Sequence, residues 1–269
     1  MTPFRRDDYQ VDILIRGYEN VALTAACLSS IRKNTDPARH QVTYVDNGSE
    51  HQNFYQLVKN NPAVQFVRLP FNHGSVRGIN AGLALAMLSP AEFVLLLDND
   101  TEIPNGDTEW LDRMVGYFDD PQVGAVGAVS DYVSGMQQAE AAPDTYNKDW
   151  SENGRAGVKD PPEMPVLVSF AMMIRKDAMK AVGLFDERYE PGMGEDYDYV
   201  LQLRRAGWKC IVGKSIWIKH KGSQTFGKMG FNEILQASYA KLIDKWGEDG
   251  LAEMGIEVRR HAAGGDEEE

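Results

Sequence analysis

The stretch that most constrains the fold is Phe93-Val-Leu-Leu-Leu-Asp-Asn-Asp-Thr-Glu-Ile103, an apolar run ending in two aspartates that flank an asparagine. A short, unbroken apolar run bounded by turn residues reads as a strand buried on both faces, as in parallel α/β sheets. Asp98 and Asp100 then fall just past its carboxyl end, where open α/β sheets form their ligand crevices. Alternation along an extended chain lets both carboxylates address one ligand while Asn99 points away. Carboxylate oxygens suit Mg²⁺ or Mn²⁺, which in phosphate chemistry are held by one or two carboxylates plus the phosphates. Taken alone, the tripeptide reads first as an ordinary Asp/Asn turn after a strand. Its surroundings change that reading.

The residues before it alternate strand and helix. Val11 to Ile15 reads as a buried strand, Arg16-Gly-Tyr-Glu-Asn20 as a loop with Asn20 at an N-cap, and Val21 to Lys33 as a helix ended by Thr35-Asp-Pro37. Gln41 to Val45 is a second strand running into Asp46-Asn-Gly-Ser49, followed by a helix from His51 to Lys59. Val64 to Leu69 is a third strand, and Asn72-His-Gly-Ser75 opens a helix that runs to Met87. This alternation predicts a right-handed, doubly wound parallel sheet. The loops after its strands then share one edge: Arg16 to Tyr18, Asp46 to Ser49, Asn72 to Arg77 and Asp98 to Asp100.

The second half is less regular. Trp110 to Phe118 reads as a helix, Val123 to Val129 as a glycine-thinned strand, Val166 to Ile174 as another strand and Lys176 to Val182 as a short helix. Gly192-Met-Gly-Glu-Asp-Tyr-Asp198 opens a helix that continues to Arg205 and stops at Gly207. Lys209 to Val212 and Ser215 to Lys219 are expected as two short strands, and Phe231 to Trp246 as a terminal amphipathic helix. Ser134 to Pro165 is polar and has little periodicity, as a lid, a binding loop or a disordered segment would.

Composition narrows the partners. The net charge of -12 over 269 residues argues against a broad grip on nucleic acid or anionic lipid. No stretch approaches the ~20 apolar residues of a membrane span. Two cysteines, Cys27 and Cys210, make no disulfide framework, so a soluble, cytoplasmic protein is expected. The tail Gly264-Gly-Asp-Glu-Glu-Glu269 is expected to be disordered.

Several residues along the shared edge carry chemistry. Tyr18 can stack on a base, Asp46 can accept from a base or ribose, and Arg77 in the first turn of a helix can pair with a phosphate. Glu195, Asp196 and Asp198 stand where the helix dipole favours acids in any protein, yet a carboxylate there can also serve as a general base toward a hydroxyl. His220, at a strand end, is by itself more readily structural, but an ion already held by Asp100 would accept its imidazole. Lys214, Lys221 and Lys228 supply cations that could offset a diphosphate.

With these residues in view, the chain resembles glycosyltransferase family 2, the inverting enzymes of GT-A fold, over most of residues 11–223. The resemblance rests on Asp46-Asn-Gly-Ser49, Asn72 to Gly82, Asp98-Asn-Asp100 as a DxD motif, Gly183-Leu-Phe-Asp-Glu-Arg-Tyr189, Gly194-Glu-Asp-Tyr-Asp198, Leu203-Arg-Arg-Ala-Gly-Trp208 and His220. The chain departs from the family at Arg16-Gly-Tyr-Glu19, where Pro-Thr-Tyr-Asn is usual, and at Ser169-Phe-Ala171, where a glycine is common.

The resemblance implies a Rossmann-like, doubly wound, mostly parallel sheet with a C-terminal acceptor-side portion. It implies nucleotide-sugar contacts from Gly17, Tyr18, Asp46, Asn47, Arg77, Asp98, Asn99 and Lys221. A divalent ion, Mn²⁺ or Mg²⁺, would bind Asp100, His220 and Asp98; Asp196 would be the general base, and Glu195 would help hold the acceptor. The donor would be a nucleotide diphosphate sugar of UDP or dTDP type, and the acceptor a hydroxyl, a glycan before all others. Nucleic acid is disfavoured as acceptor by the acidic charge. The expected organisation is an N-terminal extension (1–10), a catalytic domain (11–230) and a helical segment (231–260) before an acidic tail (261–269). Within the catalytic domain, residues 11–103 would bind nucleotide and 104–230, with the loop 134–165, would face the acceptor. Two other readings share the acids: a sugar-1-phosphate nucleotidyltransferase, whose Gly-rich basic first loop Arg16 to Glu19 matches poorly, and a catalytically silent module binding nucleotide sugar or glycan.

Overall fold

Strand and helix alternate through the first half as β1 (Val11–Gly17), α1 (Val21–Asn34), β2 (His40–Asp46), α2 (His51–Asn60), β3 (Gln65–Arg68), α3 (Ser75–Ala86) and β4 (Phe93–Asp98). The second half adds β5 (Thr101–Glu102), α4 (Trp110–Gly116), β6 (Val123–Val129), β7 (Ala171–Arg175), α5 (Lys176–Val182), α6 (Glu195–Arg205), β8 (Lys209–Trp217), β9 (Lys219–His220), α7 (Phe231–Trp246) and α8 (Glu248–Glu253). The computed structural model describes residues 10–133, 137–138, 166–222, 231–253 and 255–256. Most of the expected loop 134–165, together with Lys228 and the acidic tail, lies outside the described residues.

Seven strands form one sheet in the order β3-β2-β1-β4-β7-β6-β8. β1 pairs in parallel with β2 and β4, β2 with β3, and β6 with β8. β7 runs antiparallel to both β4 and β6, so it alone is reversed. The sheet is therefore the mostly parallel, doubly wound one that the alternating pattern predicts.

Alternation along each strand divides the core between two faces. Leu14, Val94 and Leu96 pack with α3, α5 and α6 on one side. Ile13, Ile15, Phe93, Leu95 and Leu97 pack with α1, α2 and α4 on the other. Cys210 belongs to the first face and Cys27 to the second, which keeps the two thiols apart. Gly82 lets α3 approach the sheet closely, because a Cβ there would strike the Leu14 side chain. No helix among the described residues is long and apolar enough to cross a membrane.

The structure corrects several local expectations. The strand expected from Val166 to Ile174 is confined to β7, Ala171–Arg175, and Arg16 and Gly17, expected in a loop, end β1. The two strands expected at 209–219 are one strand, β8, whose middle is bulged: Ala128 pairs with Gly213 but Val129 with Trp217. The extra residues are absorbed there rather than in a turn. The helix expected to Phe118 ends at Gly116 and tightens into a 3₁₀ turn over Tyr117–Asp119. Asn20 occupies the N-cap position of α1 but adopts left-handed φ 50° and makes no capping bond with its side chain. Its neighbour Glu19 instead caps a different helix: its carboxylate accepts from the Glu50 amide at 2.7 Å and from Asn53 Nδ2 at 2.7 Å.

Asp198 ties the C-terminal helix to the rest. Its carboxylate is 0% exposed and accepts from Lys245 Nζ (2.8 Å), Trp246 Nε1 (2.7 Å) and Gln202 Nε2 (2.8 Å). Hydrogen bonds to a charged group contribute about 1.5–3 kcal/mol each way they are broken, and here Lys245 keeps a second carboxylate, Asp186, at 2.9 Å. Asp198→Asn is therefore expected to destabilise the fold by about 2 kcal/mol in urea denaturation, with α7 exchanging its amide hydrogens faster than α3.

Candidate active site

The carboxyl edge of the sheet gathers the acids. Asp98 is the last residue of β4, and its amide donates to the Phe170 carbonyl at 2.9 Å just before the reversed strand β7. Thr101 Oγ1 donates to the Asp98 carbonyl at 2.7 Å and closes the turn that carries Asp100. Asn99 turns the other way, toward α1, where its amide donates to Thr24 Oγ1 at 2.9 Å.

A two-stranded ribbon brings in the histidine. β5 and β9 pair antiparallel, with Thr101 opposite His220. Lys221 N donates to the Asp100 carbonyl at 3.1 Å and extends the same register. His220 Nε2 thereby lies 3.3 Å from Asp100 Oδ1 and 3.8 Å from Asp98 Oδ2. Its Nδ1 donates to the Tyr132 carbonyl at 2.7 Å, an acceptor only, so Nε2 is the nitrogen that faces the carboxylates. The ring stacks on Phe170 with centroids 4.9 Å apart. Burial disfavours the imidazolium, but the Asp100 hydrogen bond and the charges of Asp98 and Asp100 outweigh it and raise the His220 pKa.

One ligand atom from each of Asp98, Asp100 and His220 lies within 4.8 Å of the others. Two carboxylates and an imidazole with its second nitrogen held by a backbone carbonyl form a donor set that fits a divalent cation.

A second acid pair opens α6. Gly194, at φ 96°, makes the left-handed turn into the helix and places Glu195 and Asp196 in its first turn. Asp196 Oδ2 accepts from Ser169 N at 3.2 Å and Oδ1 from Tyr197 N at 2.8 Å. Glu195 is buried, and its Oε2 has no hydrogen-bond partner among the described residues. Burial raises the pKa of both acids; the Asp196 charge adds to the rise at Glu195, and the backbone bonds moderate it at Asp196. Ser169 and Phe170 thus touch both clusters, one through Asp196 and the other through Asp98 and His220.

The remaining predicted residues are spread along the edge. Asp46 ends β2 beside Gly17, is buried, and lies 3.6 Å from Arg68 Nε. Gly17 faces the Tyr44 ring, into which a Cβ would collide. Tyr18 is 41% exposed at the loop after β1. Asn47 braces the loop before α3, donating to the Gly74 carbonyl at 2.8 Å and accepting from His73 N at 3.0 Å. Arg77, with a side chain 52% exposed, pairs with Glu187 at 2.9 Å, and its amide donates to Glu190 Oε1 at the start of α3. Lys221 Nζ pairs with Glu102 at 2.5 Å. The structure therefore brings Asp98, Asp100 and His220 together and sets Asp196 beside them, while Arg77 and Lys221 engage other acids.

Three participants go beyond the roles read from the sequence: Arg16, placed there only as part of the loop after the first strand, and Phe170 and Tyr132, which have none. Arg16 Nη2 reaches Asp98 Oδ1 at 3.0 Å. Its only signal in the sequence is a charge at the end of an apolar run. Phe170 and Tyr132 act through the ring stack and a carbonyl, which no residue pattern marks.

Solved structures of glycosyltransferases share this architecture. The mannosyltransferase PcManGT from Pyrobaculum calidifontis, in complex with GDP-Man and Mn²⁺, superposes with a TM-score of 0.59 at 18% identity, covering 93% of this chain and 75% of that one. S. aureus TarS 1–349, in complex with UDP-GlcNAc, does so with a TM-score of 0.62 at 17% identity, covering 91% and 71%. The fold is accordingly the GT-A fold. Residues 13–183, more than half of the chain, match the family model for glycosyl transferase family 2. The chain belongs to glycosyltransferase family 2 and is a glycosyltransferase. Among characterised relatives, an N-acetylglucosaminyl-diphospho-decaprenol L-rhamnosyltransferase of Mycobacterium tuberculosis is 26% identical over 210 residues, 70% of this chain and 68% of that protein. The O-antigen biosynthesis protein RfbC of Myxococcus xanthus is 24% identical over 239 residues, and the chain spans only 17% of its length.

The raised acids give a direct test. A buried acid with a raised pKa binds its proton more tightly folded than unfolded, so it lowers stability as pH rises from the ordinary carboxylate range through the raised values. Asp196→Asn and Glu195→Gln are each expected to flatten that decline, read as Tm against pH between about pH 4 and pH 8. Carboxyl carbon NMR of the wild type is expected to show resonances titrating above the usual range that these variants remove.

Proposed function

We propose that the protein is a metal-dependent, inverting glycosyltransferase that moves a sugar, a hexose or deoxyhexose, from a nucleotide diphosphate sugar of UDP or dTDP type to a hydroxyl acceptor. The observation that carries this reading is the pairing of two sites at one sheet edge: the Asp98, Asp100 and His220 triad, and the buried Asp196. The rhamnosyltransferase name of one relative, and the Mn²⁺ and nucleotide sugars named in the solved neighbours, support it.

Asp98, Asp100 and His220 would hold the divalent ion. When bound, it offsets the negative charge that grows on a departing diphosphate. Tyr18 offers an exposed ring to the base and Asp46 a carboxylate, with Asn47 bracing the loop beneath; Gly17 keeps β1 close against its neighbour. Arg77 and Lys221 would complete the donor side from the same edge, while Asn99, its amide held by Thr24 of α1, could reach the donor only through its backbone.

Asp196 takes the proton of the acceptor hydroxyl. Its burial makes it a stronger base than an exposed aspartate, and the Ser169 and Tyr197 amides fix its orientation. A single base and attack opposite the leaving group give inversion, by the logic of inverting glycosidases. Glu195 presents an unpartnered oxygen that can accept from a second acceptor hydroxyl. A glycan is the acceptor class this arrangement favours, with the described part of residues 104–230 assigned to the acceptor side and residues 11–103 to the nucleotide. A cytoplasmic setting accords with two thiols held on opposite faces of the sheet.

The test combines binding and turnover. A thermal-shift panel of nucleoside diphosphates is expected to show an Mn²⁺-dependent rise in Tm that Asp100→Ala abolishes. Asp196→Asn is expected to keep that shift and lose transfer by about 10²–10⁴-fold. Full transfer by both variants would end the proposal. Pyrophosphate release from a nucleoside triphosphate would instead favour a nucleotidyltransferase, and binding without transfer or donor hydrolysis a silent module.

A further inference from the structure

Arg16 stands where no residue of its kind is required to complete the strand. It is the sixth residue of β1, paired in register with Asp98 of β4. Its aliphatic stem lies on Gly78 of α3, where a Cβ would come within 3.2 Å of Arg16 Cδ. One side of the guanidinium is anchored to Ser75, by Oγ and by the carbonyl at 3.4 Å. The other side donates to Asp98 Oδ1 at 3.0 Å. The side chain is only 22% exposed, so the charge sits at a defined place rather than sampling solvent.

That placement divides the Asp98 carboxylate. Oδ1 is committed to Arg16, while Oδ2 faces His220. Among the described residues, Arg16 is the only lysine or arginine that pairs with a member of the Asp98, Asp100 and His220 triad. Its charge also reaches Glu195 and lowers that acid's affinity for a proton. A fixed monovalent cation beside a divalent-ion site stabilises the empty acids and repels the ion.

We propose that Arg16 is a built-in counter-cation and positioning residue for Asp98, leaving a single Asp98 oxygen for the ion and setting the affinity of the site for a divalent cation below what the three ligands alone would give. The ion is then held firmly only in company with a diphosphate, whose own charge outweighs that of Arg16. This rests on the reading of the triad as a metal site.

The experiment titrates Mn²⁺ into nucleotide-free protein and reads free ion by its EPR signal. Wild type, Arg16→Gln, Arg16→Lys and Asp100→Ala are compared, each first checked by thermal melting. Arg16→Gln is expected to bind Mn²⁺ at least about fivefold more tightly than wild type, the ~1 kcal/mol that one unit charge exerts at about 4 Å even under the full screening of bulk water. Arg16→Lys is expected to stay within about twofold of wild type, because it keeps the charge. Saturable binding by wild type with no tightening in Arg16→Gln overturns the role of Arg16 and leaves the metal site standing. Equal tightening in Arg16→Lys also overturns it, since charge would then not be the cause. Absence of any saturable binding that Asp100→Ala removes overturns the metal site and the role of Arg16 together.

Discussion

The reversal of β7 is the constraint on which the site depends. A parallel sheet presents only strand ends at its carboxyl edge, and each end can offer one or two side chains. β7 enters the sheet between β4 and β6 in the opposite sense, so its beginning lies at that edge. Ser169 and Phe170 precede it, and between them they contact Asp98, His220 and Asp196. Two acid clusters separated by about a hundred residues of chain are thus referenced to one dipeptide. Movement of either cluster would break a backbone hydrogen bond, which gives the arrangement its rigidity.

The second theme is how so many carboxylates coexist. Asp98, Asp100, Glu195 and Asp196 crowd a space that burial makes hostile to charge. Three devices offset this. Arg16 neutralises one oxygen of Asp98, His220 faces Asp98 and Asp100, and the amides of Ser169 and Tyr197 satisfy Asp196. Glu195 receives none of these directly and keeps an unpartnered oxygen. The third acid of the same helix, Asp198, has a different fate. It is consumed by Lys245, Trp246 and Gln202 and serves the packing of α7. Three acids in one turn therefore divide between the site and a structural clamp, because Asp198 stands about 200° around α6 from Asp196 and meets Lys245 and Trp246 of α7 instead.

Much of the architecture was legible in the residues. The apolar runs of β1, β2 and β4 and the spacing of the helices between them are local signals, and short buried strands carry them strongly. The turn after β4, the helix opening at Glu195 and the span Phe231–Trp246 were likewise readable. What escaped was everything set by pairing. The bulge in β8 looked like a break between two strands, because a bulge and a turn share the same local interruption. The β5 and β9 ribbon has two residues a side, too few to show a period. Arg16 read as a loop charge, whereas its partner Asp98 lies 82 residues away along the chain, and Glu187, which pairs with Arg77, is 110 residues from it.

By itself the sequence determined the class of fold, the order of its elements and the positions of the acids, since burial pattern, helix caps and turn residues act over a few neighbours. The tertiary structure alone decided the direction of β7, the register that sets His220 against Asp100, and which charges meet. These are choices among distant partners with similar local propensity. They are made by packing two faces of one sheet and by pairing most of the buried polar groups at its edge, Glu195 Oε2 being left without a partner among the described residues.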